Sequence, residues 1–282
     1  NESIMETNIE LGKQGRSSNG ELIVPLPGET RESFTKGLST ILATNPSTIT
    51  IYTLMMLYGT EFKNPAYRKS FEYKTKYRVV PLNFGKYKNE IIYDVEEVGV
   101  STKDFSFDDY LYVRSMALMV ESLYNNGPFV ELFIYANRNN IKTDEFLVVL
   151  LNNLSRAPKE IINLFEDFKD ETQSELWDSE EELIAFYKDE ENFKLLKDGK
   201  LGGNLIYKYK AKTLTETQNQ WIDYISQELE YLCEKKTSVY DGNIKFEINN
   251  ISKFCKMKIA GLVKSDANCG SISEQFDYSI LE

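Results

Sequence analysis

Glu21-Leu22-Ile23-Val24-Pro25-Leu26-Pro27-Gly28-Glu29-Thr30, answered downstream by Thr48-Ile49-Thr50-Ile51-Tyr52-Thr53-Leu54-Met55-Met56-Leu57, is the stretch on which the fold of this chain turns. Leu22 to Leu26 is a short unbroken apolar run, which predicts a strand covered on both faces, as in parallel sheets. Pro27 to Thr30 then turns the chain. Phe34, Leu38, Ile41 and Leu42 follow at the spacing of one helix face. Thr30 is placed as its N-cap, with Glu32 in the positive first turn, and Asn45-Pro46 ends it. Thr48 to Leu57 is again almost wholly β-branched, aromatic or apolar, a second buried strand. Strand, amphipathic helix and strand in this order predict a βαβ unit with parallel strands and a right-handed crossover. Pro25–Thr30 and Leu57–Thr60 then lie together at the carboxyl ends of the strands, the edge where α/β sheets and barrels hold their ligands.

Working outward, Ile4 to Lys13 reads as a helix already under way at Asn1, which suggests an N-terminally truncated chain. Beyond Phe62 the character changes. Tyr67 to Tyr87 reads as a basic-aromatic connector, and Glu90 to Thr102 as a strand. Ser106 is a helix N-cap followed by Asp108 and Asp109, and Asn125-Asn126-Gly127-Pro128 stops that helix after about Tyr124. Further helices are predicted near 129–138, 144–154, 158–169, 179–197 and 216–235, with weaker strands near 243–248, 254–263 and 271–280. The resulting division is residues 1–62 as an α/β piece, 63–105 as a connector with a strand, and 106–282 as a mainly helical domain.

Composition narrows the function. The 282 residues carry a formal net charge of -11, so nucleic acid, whose recognition rests on Lys and Arg, is not an expected partner. Histidine is absent and the three cysteines, Cys233, Cys255 and Cys269, are widely spaced, which argues against a zinc or haem site and against a disulfide scaffold. No stretch has the ~20 apolar residues of a membrane span, and a cytoplasmic location is the natural expectation.

Glu21–Thr30 resembles the "LIxGLPGET" strand and turn of radical S-adenosylmethionine enzymes, in particular the subgroup that often carries an upstream cobalamin-binding domain. Tyr52-Thr53-Leu54-Met55-Met56-Leu57-Tyr58-Gly59-Thr60-Glu61 is similar to that family's next strand and its "LxLLPGT" turn. Tyr77–Pro81, Phe84–Tyr87, Glu96–Thr102 and Ser106–Tyr110, with Arg114 further on, continue the similarity in order, from about residue 20 to 145. The resemblance implies the C-terminal strands of a partial (β/α) barrel, followed by a mainly helical extension with a few late strands. It implies an enzyme that cleaves S-adenosylmethionine at a 4Fe-4S cluster to a 5′-deoxyadenosyl radical, for methylation, cyclisation or rearrangement of an organic substrate. A reductant protein such as ferredoxin or flavodoxin, and cobalamin in some members, belong to the same implication. The family's CxxxCxxC cluster motif is not in this sequence, so the ligands are expected upstream of Asn1 and this chain alone is expected to be inactive. Carried over residue by residue, Ile23 lies on the adenine-contacting strand and Leu57 forms a second apolar wall. Pro25 stands where the family has glycine, removing an N–H donor and adding ring bulk. A non-catalytic binding or accessory module is the alternative from another class, and a nucleotide-binding α/β protein a third.

Other residues have two readings each. Ile23 and Leu57 could simply pack in the core. Glu29 suits support of the helix start, and Gly28 with that helix could cradle a phosphate. Adjacent Glu96 and Glu97 should point to opposite sheet faces, which favours ion pairs over a shared proton. Tyr77 and Arg78 could grip an anion or form a stabilising salt bridge. Glu166 to Glu191 reads as a solvated helix pair with an apolar stripe of Leu176, Leu183, Ile184 and Phe186. The cysteines read as buried thiols.

Overall fold

A computed structural model describes residues 2–88, 90–125, 127–237 and 242–263. The molecule is mixed α/β and mainly helical. After helix α1 (Glu2–Lys13) come strand β1 (Asn19–Val24), helix α2 (Arg31–Leu42) and strand β2 (Thr48–Thr53). β1 and β2 pair in parallel from Asn19 with Thr48 to Val24 with Thr53. Thr30 caps α2 in a reciprocal box with Ser33, whose hydroxyl also donates to the Glu29 carboxylate. The strand–helix–strand unit expected from the sequence is therefore present, although β2 stops four residues before Leu57.

The expected cover on both faces is not. One side of β1, with Leu22 and Val24, lies on Phe34, Leu38 and Ile41 of α2. The approach is so close that a Cβ at Gly20 would stand 2.5 Å from Ile41 Cγ2. The opposite side carries Ile23 and its register partner Tyr52, both about half exposed. β1 has no second strand partner among the described residues, so the pair forms no closed barrel there.

The segment expected as a basic-aromatic connector is ordered. It forms a short helix α3 (Pro65–Ser70) and strand β3 (Lys74–Tyr87), which pairs antiparallel with β4 (Glu90–Ser101). Tyr77, Val79 and Val80 supply β-propensity and β4 the partner strand, which the lysine content obscured. β4 also meets the end of β2: the Gly99 N–H donates to the Leu54 carbonyl (2.9 Å) and the Met56 N–H to that of Glu97 (2.8 Å).

Helix α4 (Phe107–Met119), capped by Ser106 and Asp109, continues into a π-helical turn, Val120–Tyr124. Then follow α5 (Val130–Arg138), α6 (Thr143–Asn152), α7 (Lys159–Ser174), α8 (Glu180–Tyr187), α9 (Glu190–Lys197), α10 (Leu205–Thr215), α11 (Gln218–Thr237) and α12 (Gly242–Val263). Three expectations need correction here. The single helix at 179–197 is two, because Asp189 caps a new start. α10 went unread, since Tyr207-Lys208-Tyr209-Lys210 mimics strand alternation. The late strands at 243–248 and 254–263 are one helix: Ile244, Ile248, Ile251, Cys255 and Ile259 are buried at helical spacing, which outweighs the β-propensity of their side chains. The strand expected at 271–280 lies outside the described residues.

One apolar core runs from Val24 and Ile49 through α4 to α7 and on to Ile259, with Trp221 and Tyr224 at its middle. A smaller cluster joins β3 and β4 to α8 and α9 around Leu183 and Leu196. Ile184 and Phe186, expected on a solvated pair's stripe, pack against this cluster with Trp177.

Candidate functional site

Two places merit a chemical reading: the carboxyl ends of β1 and β2, where the sequence puts the cofactor residues, and a cavity behind β2. At the first, Ile23 is 46% exposed and Leu57 52%, so neither is consumed by core packing. Leu26, Tyr52, Met55 and Tyr58 are also exposed. Pro25 is buried, its peptide bond with Val24 is cis, and its carbonyl accepts a hydrogen bond from the Tyr73 hydroxyl at 3.0 Å. That carbonyl is thus tied inward, and the ring replaces the flexible backbone that glycine would have given. Leu57 with Met55, Val80 and Val95 lines a shallow depression that does not include Ile23. Lys63 lies 4.4 Å over the Tyr58 ring at its rim.

Glu97 and Glu96 face opposite sides of β4, as strand geometry requires. Glu97 is buried and accepts from Lys63 (2.6 Å), the Thr75 hydroxyl (2.6 Å) and Arg68. Burial pushes its carboxyl up, and these donors more than offset that, holding it below the usual range. Glu96 pairs with Arg78. Tyr77 makes a two-way main-chain bridge to Trp177, both N–H···O distances being 2.9 Å. Of the readings for Tyr77 and Arg78, the stabilising salt bridge is present, yet Arg78 also lines the second site.

That second site is a cavity of about 270 Å³ bounded by β2, β3, α4, the end of α7 and α10. The π-helical turn helps to shape it. The Asn125 N–H reaches the Val120 carbonyl five residues back (3.0 Å), which turns the Asn125 side chain toward β2. There its amide accepts from the Ile49 N–H and donates to the Ile49 carbonyl, each at 2.9 Å, as a neighbouring strand would. Arg114 projects from α4 into the cavity, its guanidinium 5.7 Å over the Phe168 ring. Its buried Nε is unpaired, and burial lowers its pKa, with Arg78 adding to this and Tyr110, Glu175 and Glu96 opposing it. Glu175, one residue past α7, lines the same cavity; its carboxyl accepts from the Gly202 main chain while Oε1 is unpaired. Gly202 sits at φ 63°, where a Cβ would fall 2.3 Å from Leu196 Cδ1. Burial first and Glu171 second push the Glu175 carboxyl up to about 7, against the lowering effect of Arg78 and Arg114.

Sequence reasoning noted Arg114 only as part of a resemblance and passed over Glu175 within an acidic run. No local signal links them, because 61 positions separate an internal helix residue from a helix end. Cys233 and Cys255 are buried, as expected, and Cys269 lies outside the described residues. Among the described residues no group of three His, Cys, Asp or Glu side chains is placed to hold a metal. No helix there is long and apolar enough to cross a membrane. No protein-family model matches the sequence, and no curated protein is similar enough to count as a relative.

Proposed function

We propose that this chain is the C-terminal part of a radical S-adenosylmethionine enzyme, with β1 and β2 as the last strands of its partial barrel. One observation carries the reading: β1 and β2 are a parallel pair with one face on a helix and the other exposed, where Ile23 and Tyr52 stand beside the polar Asn19, Glu21, Thr48 and Thr50. Parallel strands are stable when buried on both faces and within larger sheets, so an isolated pair of this kind has the character of a sheet's edge. The unpaired side of β1 is then where the preceding barrel strand adds.

In this reading the chain's residues bind and orient. Ile23 and Leu57 supply apolar surface for the adenine of S-adenosylmethionine, and the buried Pro25 fixes the turn between strand and α2. The described residues do not fit the iron–sulfur cluster: Cys233 and Cys255 are buried apart from that edge. The cluster ligands belong to the segment preceding this chain. Cluster and cofactor together, when bound, supply the radical chemistry.

The test uses the full-length protein. Anaerobic reconstitution with iron and sulfide should yield 5′-deoxyadenosine from S-adenosylmethionine. Ile23→Asp should weaken cofactor binding at least tenfold by calorimetry with the circular dichroism spectrum unchanged. An in-frame upstream segment without CxxxCxxC, or unaltered binding in the folded variant, refutes the assignment.

A further inference from the structure

We propose that the cavity behind β2 binds a small organic monocarboxylate, its two oxygens shared between the Arg114 guanidinium and the carboxyl group of Glu175. This goes beyond the radical-enzyme reading and does not depend on it, because every residue involved lies in this chain.

The charge around the cavity is what selects the ligand. On the β3–β4 side, Arg78 is neutralised by Glu96. On the π-helical turn, Glu121 is held by Lys210 of α10 at 2.7 Å and by the Asn125 amide. On α7, Glu171 is held by Lys208 and accepts from the Tyr209 hydroxyl at 2.8 Å. Two groups are left over, Arg114 and Glu175. Both line the same cavity, and each acts on the other electrostatically. Tyr110, whose buried hydroxyl is also unpaired, stands one helical turn before Arg114 on α4.

A guanidinium and a neutral carboxylic acid both donate hydrogen bonds, and a carboxylate accepts from both. A cation would be repelled by the Arg114 guanidinium, whose pKa burial lowers from an intrinsic value high enough to keep it charged. The 270 Å³ of space, roughly nine water volumes, admits a small organic acid. Protonated Glu175 leaves the cavity one net positive charge; ionised Glu175 cancels it. Binding should therefore be accompanied by proton uptake and weaken as pH rises through 7.

The experiment titrates the 282-residue chain with [1-¹³C]propionate and follows saturable ¹³C line broadening at two pH values. Saturable binding is expected, about tenfold tighter at pH 6 than at pH 8 if the acid form of Glu175 is required. Arg114→Gln should abolish saturation. Glu175→Gln, which keeps a donor, should bind within about threefold of the wild type at pH 6 and lose the pH dependence. Absence of saturation in the wild-type chain, equal affinity at both pH values, or undiminished binding in a folded Arg114→Gln overturns the proposal. Should Arg114→Gln fail to fold by circular dichroism, Glu175→Gln decides: a pH dependence that survives this change overturns it equally.

Discussion

Glu97 shows how a single side chain can be placed by geometry and priced by its partners. Strand alternation sends it away from Glu96, and Lys63, Arg68 and Thr75 meet it in the interior. Replacing it by Ala strands two cations, which should cost about 3 kcal/mol in urea denaturation, the low end for a broken buried pair because both cations reach solvent. Its folded-state carboxyl lies below the unfolded value of 4.5, so the stabilisation is full above that pH and lost as pH falls through the folded value. Glu97→Gln should accordingly flatten the acid limb of a stability–pH curve. The thiols give a second check at this scale. Burial raises Cys233 to about 11 and, with Glu131 adding, Cys255 to about 12. Neither should react with a thiol reagent at pH 8 until the chain is unfolded. Labelling of either of these two in the native state, located by peptide mapping to separate it from Cys269, would contradict their placement.

At the scale of elements, the caps were legible and the edges were not. Thr30 and Ser106 could be read as helix starts because a cap is a local pattern of hydroxyl and following polar residues. Ser106→Ala should lower stability by about 1 kcal/mol in the same denaturation assay. Asn125 was read only as part of a helix stop, yet it serves as the lateral partner of Ile49 on β2. Asn125→Ala leaves a buried N–H and carbonyl without partners and should cost about 2–4 kcal/mol, more than any cap. An effect below that of Ser106→Ala would show that the strand edge finds other partners. The misread α12 has the opposite lesson. Its isoleucines favour strand by type and helix by spacing, and spacing prevailed because α11 offers a continuous face on which a helix can bury them.

For the whole molecule, β4 is the joint between two apolar clusters. Val98 and Val100 belong to the large core, while Ile91, Tyr93 and Val95 pack on the smaller one. A strand shared in this way couples their unfolding. Trp221 lies in the first and Trp177 in the second, so Trp177→Phe and Trp221→Phe variants provide separate fluorescence reports. Their urea transitions should coincide when each is compared with circular dichroism on the same variant; displaced midpoints would mark independent units. By itself the sequence determined the β1–α2–β2 unit, the helix caps and most helices, since these follow from periodicity and backbone chemistry within a few turns of chain. Only the tertiary structure decided that Ile23 faces outward and that α12 is a helix. It alone brought Arg114, Arg78 and Glu175 from three distant elements to one cavity. Burial, the removal of water by parts of the chain remote in sequence, is what changes the chemistry of such groups, and no local pattern encodes it.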